Sequence, residues 1–339
     1  MPTHDIIVIG ASSGGIEALT EVVARLPEDL PAAVFVVVHV APRSVSVLPD
    51  ILNRAGPLTA VHAKDNEKIK SGRIYVAPPD FHMLIADGAV RLVRGPIENN
   101  TRPAIDPTCR TAARSYGPRV VGVILSGALD DGAAGLHAIK ERGGVAVVQD
   151  PADALFPDMP QNALAAVAVD HVLPKARIAA LLDRLAREPV EAARIAVPEE
   201  LQKETEIEAM DMKIPDDDKP GKPSIYGCPD CGGVLWEIQD DELLRFRCRV
   251  GHAYSSEGLL AAQTEGLDSA LWTAYRALQE NASLARRLAE RAKNSGQKKL
   301  IVDRFEERAQ SAAEHAETVK QLLLNDKLSA PVDRIEQRE

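Results

Sequence analysis

The chain has 339 residues, 40 Lys+Arg against 50 Asp+Glu for a formal net charge of -10, and four cysteines. The acidic balance argues against an indiscriminate nucleic-acid binder. The apolar stretch at 32–38 falls far short of the roughly 18 residues that span a bilayer. Nor does the start read as a secretory signal, and four cysteines in so long a chain are no disulfide framework. The expectation is a cytoplasmic protein of several domains, with no membrane insertion and no nucleic-acid partner.

Residues 1–190 alternate short apolar runs with helical patterns. Asp5–Gly10 is a nearly all-apolar run ending in glycine, the signature of a strand buried on both faces. Ile16, Leu19, Val22, Val23 and Leu26 then recur at helical spacing. Further strands are expected at 32–40, 120–126, 145–148 and 171–173, with helices at 132–141 and 177–185. This alternation predicts an α/β fold, a doubly wound and mostly parallel sheet covered on both faces. Between residues 73 and 94, two runs around Asp87-Gly88 predict an inserted β-hairpin.

Residues 191–222 carry ten acidic and five basic side chains, three prolines and no aromatic. They read as a solvated acidic linker with room for a short helix. Residues 223–256 hold three of the four cysteines, and 257–330 turn Ala/Leu/Glu/Arg-rich. There, helical spacing broken at Asn294-Ser-Gly296 predicts an antiparallel helical hairpin. Residues 331–339 are expected to be a disordered tail.

The first strand runs into Gly10-Ala-Ser-Ser-Gly-Gly15 and then a helix. A dinucleotide fingerprint would need glycine where Ser12 stands, and no Lys-Ser/Thr pair follows as in a P-loop. The segment matches G-x-S-x-G, which holds a nucleophile on a sharp turn, although Ser12 or Ser13 could equally cap the helix. A serine nucleophile needs a base and an orienting carboxylate. In an open α/β sheet these lie beyond the carboxyl ends of strands. His39 follows one predicted strand, and Asp130 and Asp131 follow another, where each aspartate could instead cap a helix.

Ile6–Gly15, Val38–Pro42, Gly72–Met83, Arg102–Asp106 and Gly122–Gly135, in this order, resemble the catalytic domain of the CheB family, chemotaxis protein-glutamate methylesterases/glutaminases. The resemblance covers about residues 4–187 and implies Ser12 as nucleophile, His39 as base and Asp131 as its orienting carboxylate. It also implies oxyanion donors at the N–H groups of Ser13 and Ala128, and a methylated chemoreceptor-like protein as substrate. His82 and Asp106 lie in matching segments, with crevice-lining or structural roles. The chain departs from the family at Ser126-Gly-Ala-Leu-Asp-Asp-Gly132, commonly T-G-M-G-N-D-G there. The regulatory receiver domain usual ahead of the catalytic one is not expected, since the first strand begins at residue 5. The rival reading is a signalling adaptor that keeps the fold without the chemistry; a nucleotide-binding Rossmann protein is a third.

Cys228 and Cys231 form a C-x₂-C turn, and Cys248 with His252 forms a C-x₃-H pair. Such a Cys₃His set suits tetrahedral Zn²⁺ in a closed, structural site. Runs at 234–238 and 243–247 between the pairs predict a hairpin, so the module resembles a zinc ribbon. Arg245, Arg247 and Arg249 alternate along one strand and are expected on a solvated edge. The C-terminal module is a candidate docking element for a signalling partner. Cys109 stands alone and reads as a partly buried thiol.

Overall fold

The computed structural model describes residues 2–86, 88–191, 196–210, 221–240 and 243–324. Asp87 of the predicted turn, much of the linker and the tail at 331–339 lie outside these residues. Two compact units emerge, Met1–Leu259 and Leu260–Glu339.

The strands of the first unit are β1 Ile6–Ala11, β2 Ala33–Val38, β3 Thr59–His62, β4 Glu67–Lys68, β5 Arg73–Val76, β6 His82–Ala86 and β7 Ala89–Val93. After them come β8 Val120–Ile124, β9 Val145–Gln149 and β10 His171–Leu173. The central sheet has the order β10-β9-β8-β1-β2-β5-β3, and every pairing in it is parallel. The doubly wound expectation therefore holds. β5, read as part of the inserted hairpin, instead pairs between β2 and β3; the hairpin proper is β6 with β7, joined by β4. Strand order reverses about β1, so the carboxyl ends of β1 and β8 open the crevice where α/β proteins place their sites.

Both faces are covered, which is why the central strands β1, β2 and β8 are apolar at every position. On one face Ile7, Ile9, Val34 and Val36 pack with α1 (Gly15–Ala24), α2 (Leu48–Ala55) and, later in the chain, the helix Lys175–Arg187. On the other, Ile6, Val8, Phe35 and Val37 meet α3 (Ile105–Tyr116), α4 (Ala133–Glu141) and α5 (Asp158–Ala166). Counting Lys175–Arg187 as α6, the next helix is α7, Glu199–Glu208.

Helix α7 corrects the reading of residues 191–222 as a solvated tether. Leu201 joins the second core cluster, and Glu204 and Glu208 are buried. The four strands β11 (Lys222–Gly227), β12 (Val234–Asp240), β13 (Leu243–Cys248) and β14 (Ala253–Ser255) form an antiparallel sheet in that order. This sheet belongs to the first unit. Its arginines explain the attachment. Arg245 and Arg247, expected on a solvated edge, are 8% and 1% exposed. Arg245 grips Glu204 through two hydrogen bonds of 2.8 and 3.1 Å, and Arg247 donates to the same carboxylate at 2.9 Å. Across the cluster Arg110 of α3 donates to Glu98 and Glu208, each at 2.6 Å. Charges of both signs were thus placed on separate segments for mutual burial, and the acidity of the linker neutralises the basic strand. Only Arg249 of the three arginines stays exposed.

The second unit holds most of α8 (Ser256–Asn294, begun in the first) and α9 (Lys299–Leu324), two long helices separated at the break the sequence marks near Asn294-Ser-Gly296. Ala282, Ala285, Ala289 and Ala292 and, on α9, Val302, Ala309, Ala312 and Ala316 are buried. Arg308 on α9 donates to Asn281 Oδ1 on α8 at 3.4 Å. Among the described residues no helix is long and apolar enough to cross a membrane.

Burial pushes the Glu204 carboxyl up, yet Arg245, Arg110 and Arg247 outweigh it and hold it well below the usual carboxylate range. Glu204→Gln removes the carboxylate that both Arg245 and Arg247 hydrogen-bond in the buried cluster. It is expected to cost about 3 kcal/mol, read as a lower urea midpoint for the first unit.

Candidate active site and metal centre

Ser12 is the first residue after β1, on a turn closed by the Gly15 N–H donating to the Ser12 carbonyl at 2.9 Å. Gly14 caps α1 with φ 66, a left-handed conformation that favours glycine. No side chain caps this helix, so neither serine is spent on capping. His39 follows β2, its N–H donating to the Ala11 carbonyl at 3.3 Å. The loop after β8 comes close because residue 127 is glycine: a Cβ there would lie 2.8 Å from the Ser12 Cβ and 1.9 Å from the Met159 sulfur.

These three strand ends bring the predicted residues together. His39 Nδ1 lies 3.0 Å from Ser12 Oγ, and Nε2 lies 2.6 Å from Asp131 Oδ2. The buried carboxylate needs a donor, which assigns the proton to Nε2 and leaves Nδ1 to accept from the serine hydroxyl. Ser12 and His39 are partly exposed and Asp131 is 2% exposed. Among the described residues the N–H groups of Ser13 and Ala128 donate to no protein acceptor, and Ser13 is exposed.

Asp131 does not cap α4, the helix that follows it. Its carboxylate sits at the N-terminus of α3, accepting from Ile105 N at 2.7 Å and Asp106 N at 3.2 Å. Asp106 returns the arrangement, accepting from Gly132 N at 2.9 Å and Gly135 N at 2.6 Å at the start of α4. Each helix thus receives a carboxylate from the other. Burial pushes Asp131 up, but the His39 hydrogen bond and charge, the Ile105 amide and Asn99 outweigh it and hold the group at about 2. Asp106 goes the opposite way, well above the ordinary value, through burial and the Asp131 charge.

Two residues here escape motif reading. Asn99 donates from Nδ2 to both Asp106 and Asp131, at 3.0 Å each. Ser255, on β14, donates to Asp130 Oδ1 at 2.6 Å. The one sequence signal was the polar run Glu98–Thr101 ahead of the Arg102 segment. His82 is structural: Nε2 bonds the Pro96 carbonyl at 2.9 Å and Nδ1 accepts from Ala104 N at 3.2 Å. Cys109 is fully buried rather than partly so.

Cys228, Cys231, Cys248 and His252 also converge, with one ligand atom from each lying within 4.8 Å of all the others. The sulfurs of Cys231 and Cys248 are 3.7 Å apart, and His252 Nδ1 is 3.6 Å from Cys228 Sγ and 3.5 Å from Cys248 Sγ. A tetrahedral ion with ligands at ~2.0–2.3 Å requires edges of roughly 3.5–3.8 Å. These four residues could hold a metal.

Fold and site together define an open α/β protein with the Ser–His–Asp geometry of a hydrolase. The model of the CheB methylesterase family matches residues 7–182, and the chain belongs to that family. A putative protein-glutamate methylesterase/protein-glutamine glutaminase of Leptospira interrogans is 42% identical over 183 residues, covering 54% of this chain and 95% of the relative. The protein-glutamate methylesterase/protein-glutamine glutaminase of Archaeoglobus fulgidus is 36% identical over 182 residues, 52% of each chain. The crystal structure of the Thermotoga maritima CheB methylesterase catalytic domain is similar with a TM-score of 0.52 and 34% identity, covering 55% of this chain and 99% of that one. The matched family segment lies ahead of α7, the β11–β14 sheet and the helical hairpin.

Asp130, beside the site, is raised from 3.8 to about 7, chiefly by burial, with the Ser255 hydrogen bond opposing and the Glu257 and Asp131 charges adding. From pH 3.8 to about 7 the folded state therefore holds a proton that the unfolded state has lost, and stability falls as pH rises. Asp130→Asn removes this titration. Its stability relative to the wild type should climb between pH 4 and 7 and level off above, read from urea midpoints across that range.

Proposed function

We propose that the chain is a protein-glutamate methylesterase, with glutamine deamidation as the same chemistry on an amide. The observation that carries this reading is the continuous Ser12–His39–Asp131 hydrogen-bond line at 3.0 and 2.6 Å. His39 Nδ1 takes the Ser12 proton as Oγ attacks the carbonyl carbon of a glutamate γ-methyl ester. Asp131 stabilises the imidazolium, and the N–H groups of Ser13 and Ala128 receive the oxyanion. As the tetrahedral adduct collapses, the imidazolium proton passes to the departing methoxide, which leaves as methanol. Water, deprotonated by His39, then attacks the acyl-enzyme; the γ-carboxylate leaves and Ser12 Oγ recovers its proton.

A protein substrate, a methylated chemoreceptor by the names of the relatives, suits the surroundings of Ser12. Leu155 and Phe156, 66% and 42% exposed, flank the Gly14 turn, and Ile16 and Leu129 are exposed nearby in sequence to Ser12 and Ala128. An apolar rim of this kind fits a macromolecular surface better than a small polar ester. For the second site we propose structural Zn²⁺ held by Cys228, Cys231, Cys248 and His252, with no part in the bond-breaking steps. All four cysteines are free of disulfides, which suits a reducing cytoplasm.

Methanol release from a receptor fragment carrying glutamate γ-methyl esters tests the enzyme. Ser12→Ala should lower kcat by about 10³-fold or more with the unfolding midpoint unchanged; wild-type turnover in that variant would overturn the assignment. Elemental analysis of the purified chain should find about one zinc per molecule, falling sharply in Cys231→Ser.

A further inference from the structure

The Cys₃His sheet could have been tethered anywhere on the α/β domain; it reaches Asn99, which bonds Asp131. Asn99, 8% exposed, and its neighbour Asn100 both hold positive φ, 49 and 63. Two successive left-handed residues need support from outside their own segment. That support comes from residues 253–258. The Asn99 N–H donates to the Ala253 carbonyl at 2.9 Å, and the Ala253 N–H donates to the Ile97 carbonyl at 3.2 Å. The Ser255 N–H donates to Asn99 Oδ1 at 2.9 Å, and Asn100 Nδ2 donates to the Gly258 carbonyl at 2.9 Å.

With its oxygen held by Ser255, the Asn99 amide has one orientation, and its two N–H bonds point at Asp131 and Asp106. The same segment braces the loop of Ala128. Ser255 Oγ bonds Asp130, and Glu257 accepts from Asn162 Nδ2 at 2.6 Å. That nitrogen also donates to the Leu129 carbonyl at 3.0 Å. Leu129 has φ 62, a conformation that a leucine keeps only when its surroundings enforce it.

Strand β14 begins at the residue after His252. The turn preceding it is closed by Cys248 N donating to the His252 carbonyl and Gly251 N donating to the Cys248 carbonyl, each at 2.9 Å. Two of the four metal-ligating residues therefore bound the turn that sets the register of β14. We propose that the Cys₃His module is a positioning device for ester cleavage: the bound ion fixes β14, β14 fixes Asn99, and Asn99 orients Asp131. Asn99 is then a positioning residue that acts through Asp131, and this rests on the role given to Asp131 under Proposed function. Metal occupancy is read out in the chemical step and not in substrate binding.

Asn99→Asp tests the last link, because it keeps an oxygen for the Ser255 N–H and replaces the donor facing Asp131 with an acceptor. In the full chain, kcat for methanol release should fall about 30-fold, with KM within about twofold and the zinc content unchanged. The low-field NMR signal of the proton between His39 Nε2 and Asp131, recorded in a Ser12→Ala background, should shift or vanish. Chelating the zinc from the full chain should weaken kcat and the same signal together, and zinc addition should restore both. A kcat within twofold of wild type for Asn99→Asp would overturn the proposal, as would a zinc-free chain that keeps its low-field signal. Should the zinc-free chain aggregate, Cys231→Ser in the full chain takes its place, and a kcat and low-field signal equal to wild type at sharply reduced zinc content would overturn the proposal. A wild-type chain that releases no methanol sinks the esterase reading instead, and the NMR signal still judges the positioning.

Discussion

Two helices that exchange carboxylates hold this site together. Asp131, just ahead of α4, lies at the N-terminus of α3, while Asp106 in the first turn of α3 receives the first amides of α4. Each helix start presents unsatisfied N–H groups, and each is satisfied by a side chain from the other. The exchange places Asp131 beneath His39 and desolvates it while keeping it ionised. Two carboxylates in one buried region cannot both be charged cheaply. The hydrogen bonds to Asp131 decide which one is, and they leave Asp106 pushed up.

Around this centre the chain is assembled by polar contacts buried between segments distant in sequence. Arg110 of α3, Glu204 and Glu208 of α7, and Arg245 and Arg247 of the Cys₃His sheet lie in one desolvated cluster. Buried ion pairs contribute little net stability compared with apolar replacements, but each charge is costly to leave alone. Such a cluster therefore specifies the mutual position of three segments more than it tightens any of them. It gives the Cys₃His sheet a defined seat from which β14 meets Asn99.

The parallel sheet was legible because its strands are buried on both faces, so runs such as Ile6–Ile9 and Val34–Val38 carry no polar residue to blur them. Ser12, His39 and Asp131 could be found because each follows a strand, and strand ends converge in an open α/β sheet. The cysteine pairs were legible for a different reason: metal ligation imposes a short, fixed spacing. Asn99, Ser255 and Glu204 had no such local mark. The partners that tie them to the site or the cluster lie far along the chain, Asp131 for Asn99, Asp130 for Ser255 and Arg245 for Glu204, and a lone asparagine or glutamate looks the same in a loop as in a buried network. Arg245 and Arg247 misled for that reason, since alternating arginines on a strand mean solvent unless a counter-charge arrives from elsewhere.

Local sequence sufficed for the doubly wound sheet, the glycine turn that presents Ser12, the histidine and aspartate at neighbouring strand ends, and the cluster of three cysteines and a histidine. Each follows from local chemistry: two-sided burial, backbone conformation at glycine, or ligand spacing. Packing settled the rest: Asp131 caps α3 rather than α4, the acidic segment folds into α7 as counter-charge to buried arginines, and β14 holds Asn99 against the site. Those arrangements depend on which unpaired donors and charges meet once the chain is packed, and nothing within a window of a few residues encodes that meeting.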